Sequence, residues 1–163
     1  MIVNDKMQKG YEYFLSESIG ENFDKNFKPE FTPMEMLRLG VFEGQYMNDC
    51  QDEFPIDWFE NARISFNGPD IKCNCFGVKS RLSLSVWRQK GWIVGPDPRG
   101  WFQWYCRYYM GRRIENIDDI QIKRWIAFKR HKKQVEYNCK MLEMDCRIKQ
   151  RQALLQWAYN PFF

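Results

Sequence analysis

Arg99, Gln103 and Arg107 recur at every fourth position in a segment that is otherwise rich in aromatic residues. Side chains four residues apart lie on the same side of an α-helix, so these three fall within an arc of roughly 80°. Arginine binds phosphate or carboxylate through two parallel hydrogen bonds, and glutamine can contact a base or a water. The spacing therefore predicts a stripe that binds an anion or nucleic acid, and Arg112 and Arg113 extend it.

A structural role for the same stripe is the alternative. The segment carries six aromatic side chains between residues 98 and 110, and a helix of that composition is largely buried. A buried arginine requires a partner, and acids from the first part of the chain, such as Glu43, Asp49 or Asp57, can supply it. The sequence leaves two alternatives: a ligand on the stripe, or ion pairs inside the domain.

A second set of candidates lies between residues 76 and 93. A glycine turn, a polar helix start and a series of apolar anchors have the layout of the turn and second helix of a helix-turn-helix unit. Lys79 and Arg81 would then approach base edges in the major groove, and Arg88 would lie near phosphates. Because Gly68-Pro69 leaves little room for the preceding helix, an ordinary amphipathic surface helix is the alternative.

A third set comes from the concentration of basic residues between residues 99 and 133, where ten lysines and arginines stand against three acids. The members of its last helical region that we expect to bind nucleic acid are Lys123, Arg124, Arg130 and His131. Contact with the phosphate backbone is the natural use of such a run, and it would make binding strongly salt-dependent. A solvated helix face without a ligand is the alternative.

The sequence predicts no metal site and no cofactor. His131 is the only histidine, and the six cysteines form no pair of CxxC motifs. There is neither a phosphate-binding glycine loop nor a nucleophile elbow. Catalysis would have to depend on carboxylates such as Glu43, Asp49 or Asp97, and the sequence does not distinguish one of them. Whether the protein is an enzyme is therefore left open.

The cysteines and the N-terminus bear on the compartment. The cysteines are scattered through a chain whose first residues lack the apolar core of a secretory signal. We therefore expect reduced thiols and a cytoplasmic or nuclear location rather than secretion. No apolar run reaches the length of about 18 residues that a membrane span needs, so no membrane association is expected.

Charge is distributed unevenly along the chain. The total is +4, but residues 1–60 carry five basic and thirteen acidic residues, a balance of −8. Residues 61–163 carry twenty basic and eight acidic residues, a balance of +12. The second part is therefore predicted to present a basic surface. The alternative is that the acidic part pairs with the basic part inside one domain, which we expect to extend over residues 1–163.

We predict a mainly α fold, a single compact helical domain, with a small β-sheet or hairpin near residues 63–67 and 92–94. Capping residues, the apolar period of 3.6 residues and glycine stops place the helices. The predicted helices cover residues 4–20, 32–39, 55–59, 80–90, 98–110 and 119–158, the last with a break near Asn138.

Together these patterns predict a small intracellular nucleic-acid-binding protein that uses its basic, aromatic-rich second part. Two alternatives belong to other classes. The first is an enzyme that acts on a nucleotide or another phosphate-bearing substrate. The second is a structural or assembly protein that contacts a protein partner through exposed aromatic residues between residues 157 and 163.

Overall fold

The chain begins with a β-hairpin in the computed structural model, which describes residues 1–163. Strands β1 (Ile2–Asn4) and β2 (Lys9–Glu12) pair antiparallel, with Ile2 opposite Glu12. The Asp5 carboxylate closes the connecting turn by accepting the backbone amides of Met7 and Gln8 at 2.7 and 2.9 Å. The prediction of a helix over residues 4–20 is wrong, because this side-chain cap stabilises a turn at the position where the helix would begin.

The structure therefore contains the small hairpin that was predicted, but at another place. Residues 63–67 and 92–94 form loops whose backbone amides bond to different neighbours. Arg63 donates to the Leu37 carbonyl at 2.9 Å, and Trp92 donates to the Trp87 carbonyl at 2.9 Å. Since these amides are bonded elsewhere, the two segments do not pair as strands.

Two short helices were predicted close to where they occur. Helix α1 (Pro33–Leu39) has the expected capping box, in which the Thr32 hydroxyl accepts the Glu35 amide and the Glu35 carboxylate accepts the Thr32 amide. Helix α2 (Leu84–Gln89) begins at Ser83, whose hydroxyl accepts the Val86 amide. Between them the chain makes four short 3-10 turns, at Phe42–Gly44, Gln51–Glu53, Ile56–Trp58 and Ile71–Cys73.

Helix α3 (Trp101–Met110) is the aromatic helix, and it lies at the centre of the fold. It begins at Trp101, three residues later than predicted, with Gly100 at the N-cap, so Asp97 lies in the preceding turn. It ends at Gly111, whose φ of 116° and closeness to the Glu17 carbonyl leave room only for glycine. Its first eight residues are buried.

The last helical region is divided, as the sequence indicated. Helix α4 (Glu115–Asn138) ends at Cys139, and helix α5 (Ile148–Gln156) packs back against it. A disulfide joins Cys139 to Cys146 across the connecting turn. The expectation of reduced thiols is therefore wrong for this pair, while the other four cysteines are free.

One aromatic cluster connects the two differently charged parts of the chain. The Phe27 ring, from the acidic part, is surrounded by five rings whose centroids lie 5.0–6.4 Å away and whose planes are steeply inclined to it. Four of those rings belong to α3 and one, Trp125, to α4. Edge-to-face contacts of this kind favour a single arrangement of the core. None of the helices has both the length and the apolar character that crossing a bilayer requires.

Candidate functional site

The interior ion pairs of α3 decide the role of the predicted arginine stripe. Arg107 is completely buried and donates to Glu53 at 2.6 Å, to Asp97 at 2.9 Å and to the Gln8 side chain at 2.7 Å. Burial disfavours the charged form of arginine, but the two carboxylates outweigh burial and raise the pKa of Arg107. Its guanidinium is thus held by protein groups on every side and has no face for an outside ligand.

The other members of the stripe are also engaged. Arg99 pairs with Asp5 at 3.1 Å and with Asp49 at 3.3 Å. The Gln103 side-chain oxygen accepts the Arg99 amide at 3.0 Å, and Gln103 is fully buried. Arg112 makes a two-pronged pair with Asp97 at 2.8 and 2.6 Å. Structural pairing, the alternative derived from the sequence, therefore describes the three buried arginines. Gln103 only accepts the Arg99 amide, and its Nε2 is buried without a hydrogen-bond partner.

Arg113 differs from Arg112 because it meets no carboxylate. Its guanidinium lies 3.7 Å from the centre of the Tyr108 ring and donates to four backbone carbonyls, including those of Glu21 and Asn22. The prediction that Arg99, Gln103, Arg107, Arg112 and Arg113 form a ligand-binding stripe is therefore corrected. The four arginines bond to groups of the acidic first part of the chain and so hold that part to α3 and the residues that flank it.

The helix-turn-helix layout is not present. Only a 3-10 turn, Ile71–Cys73, precedes α2, and α2 itself has six residues. Arg81 lies before the helix and pairs with Glu43 at 2.5 Å. Lys79 and Arg88 are exposed at separate points, and neither makes an ion pair. A groove-reading helix is excluded because the segment lacks the first helix that would position it.

The solvent side of α4 carries four exposed cations that make no ion pair. We call them the basic face: Lys123, Lys129, Arg130 and Lys133. No acid occurs in α4 between Asp119 and Glu136, so Lys129 and Arg130 have no carboxylate within four residues on the same helix. Asp119 and Glu136 are neighbours of Lys123 and Lys133 on the helix but form no ion pair with them. Lys132, on the neighbouring side, pairs with Glu30 at 3.1 Å.

His131 belongs to α4 but not to its basic face. The imidazole packs on the Phe128 ring at 4.4 Å, and its Nδ1 lies 3.2 Å from the Gln150 side-chain nitrogen. Burial, followed by the nearby charge of Arg130, lowers the pKa of His131 below 6.5. At neutral pH it therefore adds no charge to this surface.

A cleft of about 480 Å³ opens beside the basic face. It lies between α2, the start of α3, α4 and α5, and Arg130 and the exposed Ala127 belong both to its rim and to the solvent side of α4. The volume is within the range of roughly 300–1,000 Å³ that small-molecule sites occupy. Its walls contain four tryptophans and three phenylalanines, which are Trp87, Trp92, Trp101, Trp157, Phe42, Phe102 and Phe128.

The charged groups of the cleft all have one sign. Arg81, Arg124 and Arg130 line it, and no aspartate, glutamate, histidine or cysteine does. Its neutral polar side chains are engaged with the protein: Gln156 bonds to the Phe42 amide and the Ser80 carbonyl, and the Ser80 hydroxyl donates to a backbone carbonyl. The cleft is therefore suited to an anionic, flat ligand, and it contains no group arranged for acid–base or nucleophilic chemistry.

Two other depressions show how charge is divided on the surface. One of about 430 Å³ near the hairpin is lined by four acids and by Lys6 and Lys9. Three of those acids, Asp5, Asp49 and Glu53, already pair with Arg99 or Arg107. Another of about 430 Å³ lies on the opposite side of α4 from the cleft and is lined by Lys25, Lys28, Lys129 and Lys132, with Glu30 as its one acid. Lysine or arginine side chains therefore line the depressions on both sides of α4.

The free cysteines are poorly suited to chemistry. Burial raises the pKa of the Cys50 thiol to about 12 and holds the pKa of Cys106 well above its ordinary value. Because the thiolate is the reactive form, both remain inert at neutral pH.

Sequence reasoning identified Arg81, Arg124 and Arg130 but missed the aromatic cleft that brings them together. Trp87 and Trp92 lie on one side of it and Trp157 on the other, more than sixty residues apart in sequence. The available signal was in α4, where Arg124, Ala127 and Arg130 repeat at three-residue spacing with a small residue in the middle.

The predicted aromatic contact surface between residues 157 and 163 is mostly packed away. Trp157 stacks on Phe128 at 4.8 Å, Tyr159 stacks on Trp125 at 4.8 Å, and only Phe162 is exposed.

Comparisons with protein-family models, with curated proteins and with solved structures find no match to this chain.

Proposed function

We propose that this protein binds nucleic acid through the basic face of α4. The observation that carries the proposal is that four exposed cations without carboxylate partners lie within one stretch of helix. From Lys123 to Lys133 that stretch rises about 15 Å, a length over which a phosphate backbone offers several charges. Neutralising phosphates with lysine and arginine releases counterions, and this release drives association.

The interior pairing of the chain supports this use of α4. The acids Asp5, Asp49 and Glu53, all from the acidic first part, are engaged with Arg99, just before α3, and with Arg107, within it. They therefore do not screen the cations of α4. The basic groove with Lys25 and Lys28 widens the same surface, so a bound strand would meet positive charge on either side of the helix.

Binding is favoured over catalysis because of what the neighbouring cleft contains. An enzyme acting on a phosphate-bearing substrate needs a proton donor, a proton acceptor or a nucleophile at the reacting atom. The cleft offers aromatic walls and arginines instead. Those groups bind and orient an anion without transferring a proton.

The test is fluorescence anisotropy with labelled single-stranded and duplex DNA and RNA, at about 50 and 200 mM salt. The variant replaces Lys123, Lys129 and Lys133 by Gln. Its matched control replaces the exposed lysines Lys6, Lys9 and Lys72 by Gln, which removes the same charge from other surfaces.

We expect wild type and control to bind with a steep salt dependence. In the α4 variant, the slope of log affinity against log salt should fall by roughly 0.7–0.9 for each lysine that contacts a phosphate. Absence of binding at low salt, affinity that does not change with salt, or equal losses in variant and control would each overturn the proposal.

A further inference from the structure

Arg124 is a half-buried arginine that has no carboxylate partner, and its Nη2 and Nε make no hydrogen bond, whereas both terminal nitrogens of the half-buried Arg113 donate to carbonyls. Arg124 donates through Nη1 alone, to the Trp92 carbonyl and the Gln121 side-chain oxygen, each at 2.9 Å. Arg151, which also lacks a carboxylate, differs because four backbone carbonyls accept its donors. Burial alone lowers the pKa of Arg124, since no acid lies close enough to raise it.

The free donors of Arg124 belong to a residue that lines the cleft. Partial burial of a positive charge without a counterion is unfavourable, and an anion in the cleft would relieve that cost. Arg130 adds a second cation at the rim, and no carboxylate in the cleft would repel the anion. Charge complementarity therefore selects a negatively charged occupant.

The walls determine what the rest of the occupant must be. Trp92 is 41% exposed. Trp157 is half-buried, because it stacks on Phe128 with their planes 14° apart and the Arg124 guanidinium lies 5.7 Å from its ring centre. Aromatic side chains that present flat faces stack unpaired bases, with a contribution of about 1–3 kcal/mol per base. A flat heterocycle that carries a phosphate satisfies the walls and the arginines at once.

We propose that the cleft beside α4 binds one nucleotide, with its base against the exposed Trp92 and its phosphate facing Arg124 and Arg130. This inference rests on the proposed function and specifies its substrate class. A site for a single nucleotide admits an unpaired base and excludes a base pair, so the cleft confers a preference for single strands. The same chemistry would hold a free mononucleotide, and the two sources are separated by experiment.

The first experiment fills the cleft without changing any charge. Ala127 is exposed on α4 and lines the cleft, so Ala127→Trp places a large side chain inside it. The matched control is Ile120→Trp, at an exposed position of the same helix outside the cleft. Affinities for a single strand of about 12 nucleotides and for a duplex of the same sequence are measured by anisotropy, and circular dichroism verifies the fold.

We expect Ala127→Trp to weaken single-strand binding about tenfold, the equivalent of one lost base contact. Duplex binding should weaken less, because a duplex contacts the surface of α4 without entering the cleft. Arg124→Gln should weaken single-strand binding more than Lys72→Gln, which removes the same charge elsewhere. If Ala127→Trp and Ile120→Trp bind single strands equally well, the cleft inference fails while the basic-face proposal stands. If the triple lysine variant of α4 binds as tightly as wild type while Ala127→Trp still weakens single-strand binding, the basic-face proposal fails and the cleft inference stands.

The second experiment uses isothermal titration calorimetry with AMP, CMP and inorganic phosphate on wild type and Ala127→Trp. Binding of a mononucleotide that the variant loses supports the cleft and identifies a free nucleotide as one of its ligands. If wild type binds oligonucleotides but not mononucleotides, and Ala127→Trp binds the oligonucleotides more weakly, the cleft is supported and its ligand is a nucleic-acid strand. Phosphate binding as tight as that of AMP, or mononucleotide binding that the variant retains, would overturn it.

Discussion

Arg107 and Asp97 form an ion pair of 2.9 Å in which neither side chain reaches solvent. The same carboxylate receives both prongs of Arg112, at 2.8 and 2.6 Å. One aspartate just before α3 thus holds an arginine from within the helix and another from just beyond its end. The geometry fixes the turn before the helix relative to the helix itself, since each prong constrains direction as well as distance.

Replacing Asp97 by Asn should therefore be among the most damaging single changes in this chain. It leaves Arg107 and Arg112 buried without their shared charge, a situation that costs about 3–5 kcal/mol of unfolding free energy. Urea denaturation measures the loss. The control is Asp119→Asn, which removes an exposed carboxylate that makes no ion pair and should change stability by no more than about 0.5 kcal/mol.

Gly111 is predicted to tolerate no side chain. A Cβ there would lie 2.1 Å from the Glu17 carbonyl oxygen, and φ is 116°. Gly77 has a positive φ as well, 65°, but open space around it. Gly77→Ala should lower the stability only by the conformational cost of about 1–2 kcal/mol. Gly111→Ala should prevent folding or displace the segment at Glu17. Thermal melts of the two variants compare the cases, and equal losses would contradict the assigned contact.

Local signals in the sequence were sufficient where the interaction itself is local. The capping box of Thr32 and Glu35 joins residues three apart, and it correctly marks the start of α1. The break after Asn138 was also predicted. At residues 4–20 the apolar spacing indicated a helix, but the turn bonds of Asp5 and the pairing of β1 with β2 determined the structure.

The partners of the arginines lay beyond the reach of sequence periodicity. Asp49 was among the acids expected to pair with the stripe, and it does pair with Arg99. Glu53, however, is fifty-four residues from Arg107, and nothing in the local pattern distinguishes it from the other acids of the first part. The cleft was missed for the same reason, because its tryptophans come from separate elements.

The charge of Asp5 should stabilise the fold only above acidic pH. Burial opposes ionisation, but the hydrogen bonds from Arg99 and from two backbone amides outweigh it and hold the pKa of Asp5 below 3.8. A depressed pKa in the folded state contributes stability above the ordinary value, and the contribution is lost as pH falls through the folded value.

Asp5→Asn isolates that contribution because the amide oxygen can still accept the turn amides. Wild type should be more stable than the variant at about pH 7, and the difference should disappear as pH falls well below 3.8. Urea unfolding of both proteins at each pH measures the difference, so titration of other groups cancels. The exposed Asp52→Asn serves as the control, and a gap between Asp5→Asn and wild type that persists at the lowest pH would contradict the assignment.

The disulfide should stabilise the connection between α4 and α5. Its two cysteines are seven residues apart, and closing a loop of that size contributes about 2 kcal/mol in the chain-entropy description. The double variant Cys139→Ser with Cys146→Ser should be less stable by that amount, and reductant should no longer change its stability. Wild type in reductant should match the variant, whereas an effect of reductant on the double variant would point to another cysteine.

As pH falls below neutral, protonation of His131 should lower the stability of the fold and raise its affinity for nucleic acid. Because its folded pKa is lowered below 6.5, the unfolded chain takes up a proton before the folded one does. Stability is therefore lost from about pH 6.5 down to the folded pKa and changes no further below it. As pH falls through the folded pKa, the folded protein in turn gains a positive charge next to Arg130, which strengthens contact with phosphates while the phosphates stay anionic. His131→Gln removes both effects: its stability should fall less than that of wild type on acidification, and its affinity should rise less.

At about pH 7.5, where the imidazole is neutral, the two proteins should bind equally. Anisotropy and urea denaturation at matched pH values test the pair of trends, and a loss of affinity in His131→Gln at pH 7.5 would show instead that the neutral ring contacts the nucleic acid directly.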